Sequence, residues 1–237
     1  MKREPGAWLV FSAPLAAALP FVSGWKWSAP LVAGSLAFWY LATRRDRTRG
    51  STVGWLLAWA VALSLTFVAL TVAAPETAAR VIPHARSYWN EMRPWLQTGV
   101  GPEASPAAFV PLHLLHLVAF VILSAATGGW GGLVLGAYLL GFMSFYVGMT
   151  ASLAARPLAA VVLAWHPWSI LRVVSFVVLG VCLSRLLLER MPLRRWLDAE
   201  RRRLMLAAGL WGADLLLKGL LAPVWPALLR RAAGIEI

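Results

Sequence analysis

The sequence predicts an all-α fold, a polytopic transmembrane helical bundle of about six or seven membrane spans with one interfacial or re-entrant segment. Three observations carry this expectation. Only 14% of the 237 residues are charged, where a soluble domain carries roughly 25%. Hydrophobic residues make up 60% of the chain, the mean hydropathy is +0.70, and the apolar residues fall in long unbroken runs rather than amphipathic stripes. The basic residues gather between those runs, as topogenic charges do. The runs are too long and continuous for barrel strands, so helices remain the only way to satisfy the backbone within each segment.

Taken in order, a basic start, Met1–Gly6, leads into a first apolar segment at 7–22, interrupted by Pro14 and Pro20. A cleaved signal peptide has the same order, but no small-x-small cleavage pattern follows and more spans come at once. The second segment, 29–43, is flanked by Trp25, Trp27, Trp39 and Tyr40, aromatic side chains suited to the lipid–water boundary. A basic loop at 44–52 precedes the third span, 53–74. The longest polar connection is 75–108. Its middle, 85–97, reads as a short helix lying at the interface with Tyr88, Trp89, Met92 and Trp95 turned to lipid.

Spans at 109–126 and 132–153 form a hairpin around Gly128-Gly129-Trp130-Gly131-Gly132. Pro167 must break the next run, because a helix-interior proline loses a hydrogen bond and clashes with the preceding turn. That leaves an interfacial or re-entrant piece at 158–165 and a sixth span at 169–188. A second basic loop, 189–203, precedes the seventh span at 204–222 and a tail bearing Arg230 and Arg231. The whole chain, 1–237, reads as one integral membrane domain.

Sidedness follows from the arginines. Both basic loops are expected in the cytoplasm, and an even number of crossings separates them, so the two demands agree. The loop at 75–108 then faces outward from a bacterial-type plasma membrane. The net charge of +12 is read as this topogenic surplus plus contact with anionic lipid, not as a nucleic-acid surface. The single cysteine, Cys182, lies in an apolar run and excludes any disulfide within one chain.

Ionisable residues inside lipid are costly and so mark function by default. His113 and His116, three apart, share one helix face; with His166 and Glu91 they are the candidate catalytic groups, all toward the outward side. Imidazoles also ligate zinc or iron, so His113, His116 and His166 are the candidate metal ligands, with a transition metal as the candidate cofactor. The plainer reading has each ring bonded to a backbone carbonyl or a headgroup. Asp214 and Lys218 stand in the favourable order for an intrahelical ion pair, with Arg172 as a competitor for the aspartate. They form either a buried-charge or substrate site or a polar clamp between spans. Gly132, Gly136, Gly141 and Gly148 make a small-residue stripe suited to close helix packing. The 14 tryptophans concentrate at span ends and read as interfacial belts.

Several motifs are missing: the nucleotide-binding GxxxxGK[ST] loop, the GxSxG elbow and HExxH. Phe109-Val-Pro-Leu-His113 resembles the FxxxH element of the CAAX-type membrane proteases. The double glutamate that precedes it in that family has no counterpart, since Glu91-Met-Arg93 stands alone, and one short element does not make a family assignment. The leading expectation is therefore a small permease or the membrane subunit of an export or protein-sorting assembly, with the lipid bilayer and other membrane or cytoplasmic subunits as partners. The alternative is a membrane-embedded enzyme, metal-dependent or not, acting on a lipid or membrane-anchored peptide at the outer leaflet. A third reading organises cytoplasmic partners around Arg185–Arg203.

Overall fold

The computed structural model describes residues 5–44 and 49–236. They form eleven α-helices: α1 (Pro5–Ser23), α2 (Ser28–Thr43), α3 (Arg49–Ala73), α4 (Pro75–Val81), α5 (Ala85–Thr98), α6 (Pro106–Thr127), α7 (Trp130–Ser152), α8 (Pro157–Ala164), α9 (Pro167–Leu188), α10 (Leu193–Leu221) and α11 (Trp225–Ala233). A 3-10 turn, Pro102–Ala104, sits between α5 and α6. No named strand occurs among the described residues; one isolated bridge joins Ala154 to Ile235. Six helices (α1, α3, α6, α7, α9 and α10) are long and apolar enough to cross a membrane. The 16-residue α2 is shorter than the roughly 20 residues that a simple crossing needs.

Proline and glycine punctuate these helices. Proline occupies the first turn of α4, α6, α8, α9 and α11, where its missing N–H costs nothing. Glycines in the left-handed conformation close α5, α6 and α11, at Gly99, Gly128 and Gly234. The break expected at Pro167 separates α8 from α9.

α7 is the central helix: 67% of an apolar 18-residue stretch of it is buried in the bundle, against 22% for the corresponding stretch of α6 and 17% for that of α10. Small residues let its neighbours approach. A Cβ on Gly148 would lie 2.6 Å from the Thr71 Cβ of α3, and one on Gly132 would meet the Ser124 hydroxyl of α6. On the other side Gly34 of α2 rests on the Val134 backbone, where a Cβ would stand 2.7 Å from the Cα. The glycine stripe is not uniform, however. Gly141 has only ordinary contacts, and Gly136 faces open space.

α9 and α10 form an antiparallel pair held by polar contacts along its length. Trp196 Nε1 donates to the Cys182 carbonyl at 2.8 Å, and Ser175 Oγ donates to the Ala207 carbonyl at 2.8 Å. Toward the Arg190–Arg203 end, Arg185 binds Glu189 and the buried Glu200, which also accepts from Arg203 at 2.9 Å. The C-terminal segment straps the opposite end: Trp95 Nε1 donates to the Ala222 carbonyl at 3.0 Å, and Arg230 donates to the carbonyls of Leu96 and Gln97.

Three expectations change. The second basic stretch, 189–203, is a loop only as far as Pro192; from Leu193 onward it is the start of α10. It is helical because Trp196 and Glu200, four residues apart, both turn into α9. The first basic loop falls partly on 45–48, outside the described residues. α5 forms as expected, but Trp89, Met92 and Trp95 point into the bundle, with Met92 and Trp95 fully buried. Their stripe covers α7 and the C-terminal segment instead of lipid. The tryptophans divide likewise: Trp25, Trp27, Trp39 and Trp130 are exposed, whereas Trp59, Trp95, Trp168 and Trp196 are core.

The glycine geometry makes a differential prediction. Gly148→Ala presses on Thr71 and the Val68 carbonyl and should cost about 1–3 kcal/mol, as overpacking does. Gly136→Ala meets nothing and should leave stability unchanged or slightly higher. Unfolding midpoints of the two variants in one detergent check both.

Candidate functional site

A cavity of about 140 Å³ runs among the helices from the end of the bundle that carries α5 and the 3-10 turn to Gly132 in the first turn of α7. Its walls come from α3, α5, α6, α7, α9, the 3-10 turn and Lys218 of α10. All four histidines of the chain line it, together with Glu91, Glu103, Arg172, Tyr88 and Tyr138. Below these groups the lining is aromatic and aliphatic and reaches Trp59 and Ala60 in the middle of α3.

Arg172 reaches α10. Its Nε and Nη2 each donate to a different carboxylate oxygen of Asp214, both at 2.8 Å, in a bidentate pair. Asp214 is fully buried, and the Arg172 side chain is 13% exposed. Lys218, one helical turn along, does not pair with Asp214. It bonds Glu103 of the 3-10 turn at 2.5 Å, and its Nζ lies 3.5 Å from His113 Nε2 and 4.7 Å from the centre of the Phe109 ring. The intrahelical pair that the spacing favours is thus replaced by two pairs to other elements. Helix-surface pairs gain only a few tenths of a kcal/mol; buried charges gain more from partners that enclose them.

His166, the residue preceding α9, is buried, with its Nε2 3.4 Å from the Tyr146 hydroxyl. It stacks on Trp168 at 4.5 Å and meets the Trp95 edge at 5.3 Å. Burial, with Lys218 and Arg172 adding to it, pulls its imidazole down to about 3, so the ring is neutral. His84 precedes α5 in the left-handed conformation, φ 63°, unusual for a residue with a Cβ, and its ring meets Phe142. Tyr88 opens on the cavity; burial and the Glu103 carboxylate hold its phenol well above the ordinary value, so it remains a hydroxyl.

The candidates from sequence are therefore distributed as follows. His113, His116, His166, Glu91, Arg172 and Lys218 share the cavity wall, and Asp214 stands behind Arg172. Gly132 and Gly136 also line it, while Gly141 and Gly148 pack elsewhere on α7. Among the described residues, no group of three or more His, Cys, Asp or Glu side chains is placed to hold a metal ion. The rings of His113 and His166 point a nitrogen at Lys218 and Tyr146 respectively, not at a shared centre.

His84, beside Glu91 in the connection above the spans, was legible as a candidate from sequence; Glu103, Tyr88 and Trp59 were passed over as site residues. For Glu103 a signal existed: a lysine inside an apolar helix requires a carboxylate, and Arg172 had a prior claim on Asp214. Trp59 carried none, since a cavity tryptophan and a belt tryptophan look alike in sequence. Comparison of the chain with protein-family models, curated proteins and solved structures finds no match.

Asp214→Ala would leave Arg172 uncompensated and should destabilise the bundle by about 3–5 kcal/mol. The double variant Arg172→Leu/Asp214→Leu removes both charges and should cost clearly less. Denaturation of the three proteins in mixed micelles measures the difference.

Proposed function

We propose that the chain is a membrane-embedded enzyme that works in this cavity on a lipid or a membrane-anchored peptide. One observation carries the reading: the polar groups lining the cavity fall into two sets. Arg172, Lys218, Glu103, His113 and His166 are engaged by other side chains. The side chains of Glu91, His84 and His116 make no hydrogen bond or ion pair among the described residues, yet line the same space. Titratable groups held in a cavity without structural partners are the usual material of general acid–base chemistry.

The reaction class that suits them is hydrolysis of an acyl bond. Glu91 takes a proton from a water whose oxygen adds to the substrate's carbonyl carbon. The carbon–oxygen or carbon–nitrogen bond then breaks, and the proton taken by Glu91 is handed to the leaving atom, with an imidazole of His84 or His116 as the relay. The apolar floor of the cavity accommodates a chain or side chain of the substrate. On the positive-inside rule the Arg190–Arg203 end lies in the cytoplasm, which turns Glu91, His84 and Glu103 toward the outer leaflet of a plasma membrane.

The depth of the cavity, down to Trp59 and Ala60, also favours a second reading: the binding site of a small permease, or of the membrane subunit of an export or protein-sorting assembly. Activity separates the two. Protein reconstituted in vesicles is given a fluorogenic acyl ester and, separately, a lipid-anchored peptide. Release of product by the wild type, with Glu91→Gln slower by about a hundredfold or more at an unchanged melting point, is the expected result. Absence of turnover on both, or a Glu91→Gln variant as fast as wild type, would sink the enzyme reading.

A further inference from the structure

The α6–α7 hairpin is not closed along its length. At Gly132, next to the turn, a Cβ would meet the Ser124 hydroxyl and the Phe120 ring, so the two helices touch. One helical turn later, at Gly136, a Cβ would meet nothing within 4 Å. Farther along, α6 leans on α9 and the 3-10 turn, while α5 seats on α7 and hardly meets α6. The result is a wedge-shaped cleft on the flank of the cavity. Gly136, Tyr138 and Met143 of α7 form one wall, and Leu112 and His116 of α6 the other; all five line the cavity and are at least partly exposed.

Depth decides what this flank is exposed to. At about 1.5 Å per residue, His116 stands about 15 Å along α6, and Gly136 stands about 9 Å from the Trp130 end of α7. Both fall within a hydrocarbon core roughly 30 Å thick, so the cleft opens on lipid tails rather than on water.

Two features select the occupant. The first is size. The cavity, about 140 Å³, is smaller than the roughly 300–1,000 Å³ of a pocket that encloses a drug-sized ligand, and a helix with its side chains is about 10–12 Å across. One slender chain fits; a helical peptide does not. The second is polarity. Phe120, Leu133 and Phe176 line the Gly132 end, and Glu91, His84 and Tyr88 the α5 end. A lipid has the same order, with its tail inward and its polar part toward α5.

We infer that an acyl chain of a bilayer lipid enters this cleft sideways, between α6 and α7, and lies along α7 over Gly136 with its carbonyl end toward Glu91. The inference names a lipid as the substrate of the enzymatic reading and rests on that reading for the fate of the acyl bond; residence of the chain needs no reaction. With α5 toward the outer leaflet, a lipid of that leaflet enters without turning over, because its tails already point inward.

The test places the full chain in nanodiscs containing phosphatidylglycerol with a photoreactive diazirine midway along one acyl chain, and maps the adducts by mass spectrometry. Labels are expected on Leu139 and Met143 inside the cleft, as well as on Leu115 and Ile122, which are 61% and 60% exposed on α6 and stand outside the cavity lining. Gly136→Leu, which fills the open space at that position, should lower the two inner labels about tenfold and leave the two outer ones unchanged. An excess of methyl laurate should do the same in the unsubstituted protein, and a transmembrane polyleucine peptide should not. That competition decides the matter where Gly136→Leu fails to fold. Labels confined to Leu115 and Ile122, inner labels indifferent to methyl laurate or to a folded Gly136→Leu, or inner labels displaced by the peptide overturn the inference. Glu91→Gln should label as wild type does. Inner labelling without turnover would therefore discard the enzyme and leave the cleft standing, and turnover without inner labelling would do the reverse.

Discussion

The bidentate contact between Arg172 and Asp214 is the constraint on which the rest of the bundle turns. Lipid tails are as apolar as leucine, so apolar packing alone gives a membrane helix little reason to prefer a neighbouring helix over lipid. α10 shows the consequence. Only 17% of its apolar 18-residue stretch is buried, and it is held to α9 by Arg172–Asp214, Ser175–Ala207, Trp196–Cys182 and Arg185–Glu200. These contacts fix both register and rotation. With α10 so oriented, Lys218 is brought to the cavity wall, and the 3-10 turn follows because Glu103 must come to it.

α7 solves the opposite problem. It has no charge to pair, and it is buried by the close approach that small residues allow, of the Ser124 side chain at Gly132, of Thr71 and the Val68 carbonyl at Gly148, and of its own Val134 backbone to Gly34 of α2. Close packing on those faces leaves the face with Gly136, Tyr138 and Phe142 to line the cavity. The space therefore lies between a helix fixed by small residues and a pair fixed by ions. Part of its polar lining, His84, Tyr88, Glu91 and Glu103, comes from α5, the residue before it and the 3-10 turn, outside the long helices, and the C-terminal strap holds α5 through Trp95 and Arg230.

Much of the site was legible before its geometry was. His113, His116, His166, Arg172, Asp214 and Lys218 stand out in sequence because an ionisable group in or beside an apolar run is costly to bury, while Glu91 stands in the polar connection next to them. Their partners were less legible. Spacing favours Asp214–Lys218, but spacing describes one helix, and the alternatives came from α9 and from a turn more than a hundred residues away. The stripe on α5 was legible as a stripe, while its direction was not: Met92 and Trp95 suit lipid and core equally well, and only the presence of α7 and Ala222 decides between them.

By itself the sequence determined the class of fold, the breaks between helices and which polar residues would be out of place in lipid. Those are properties of composition, of proline and glycine, and of the cost of burying charge. Which charges meet, which way α5 turns, and that four histidines open on one space were decided only by tertiary structure, because each depends on how helices far apart in the chain are rotated against one another. In a medium that is apolar everywhere, that rotation is set by a few specific hydrogen bonds, ion pairs and backbone contacts, and no local pattern encodes them.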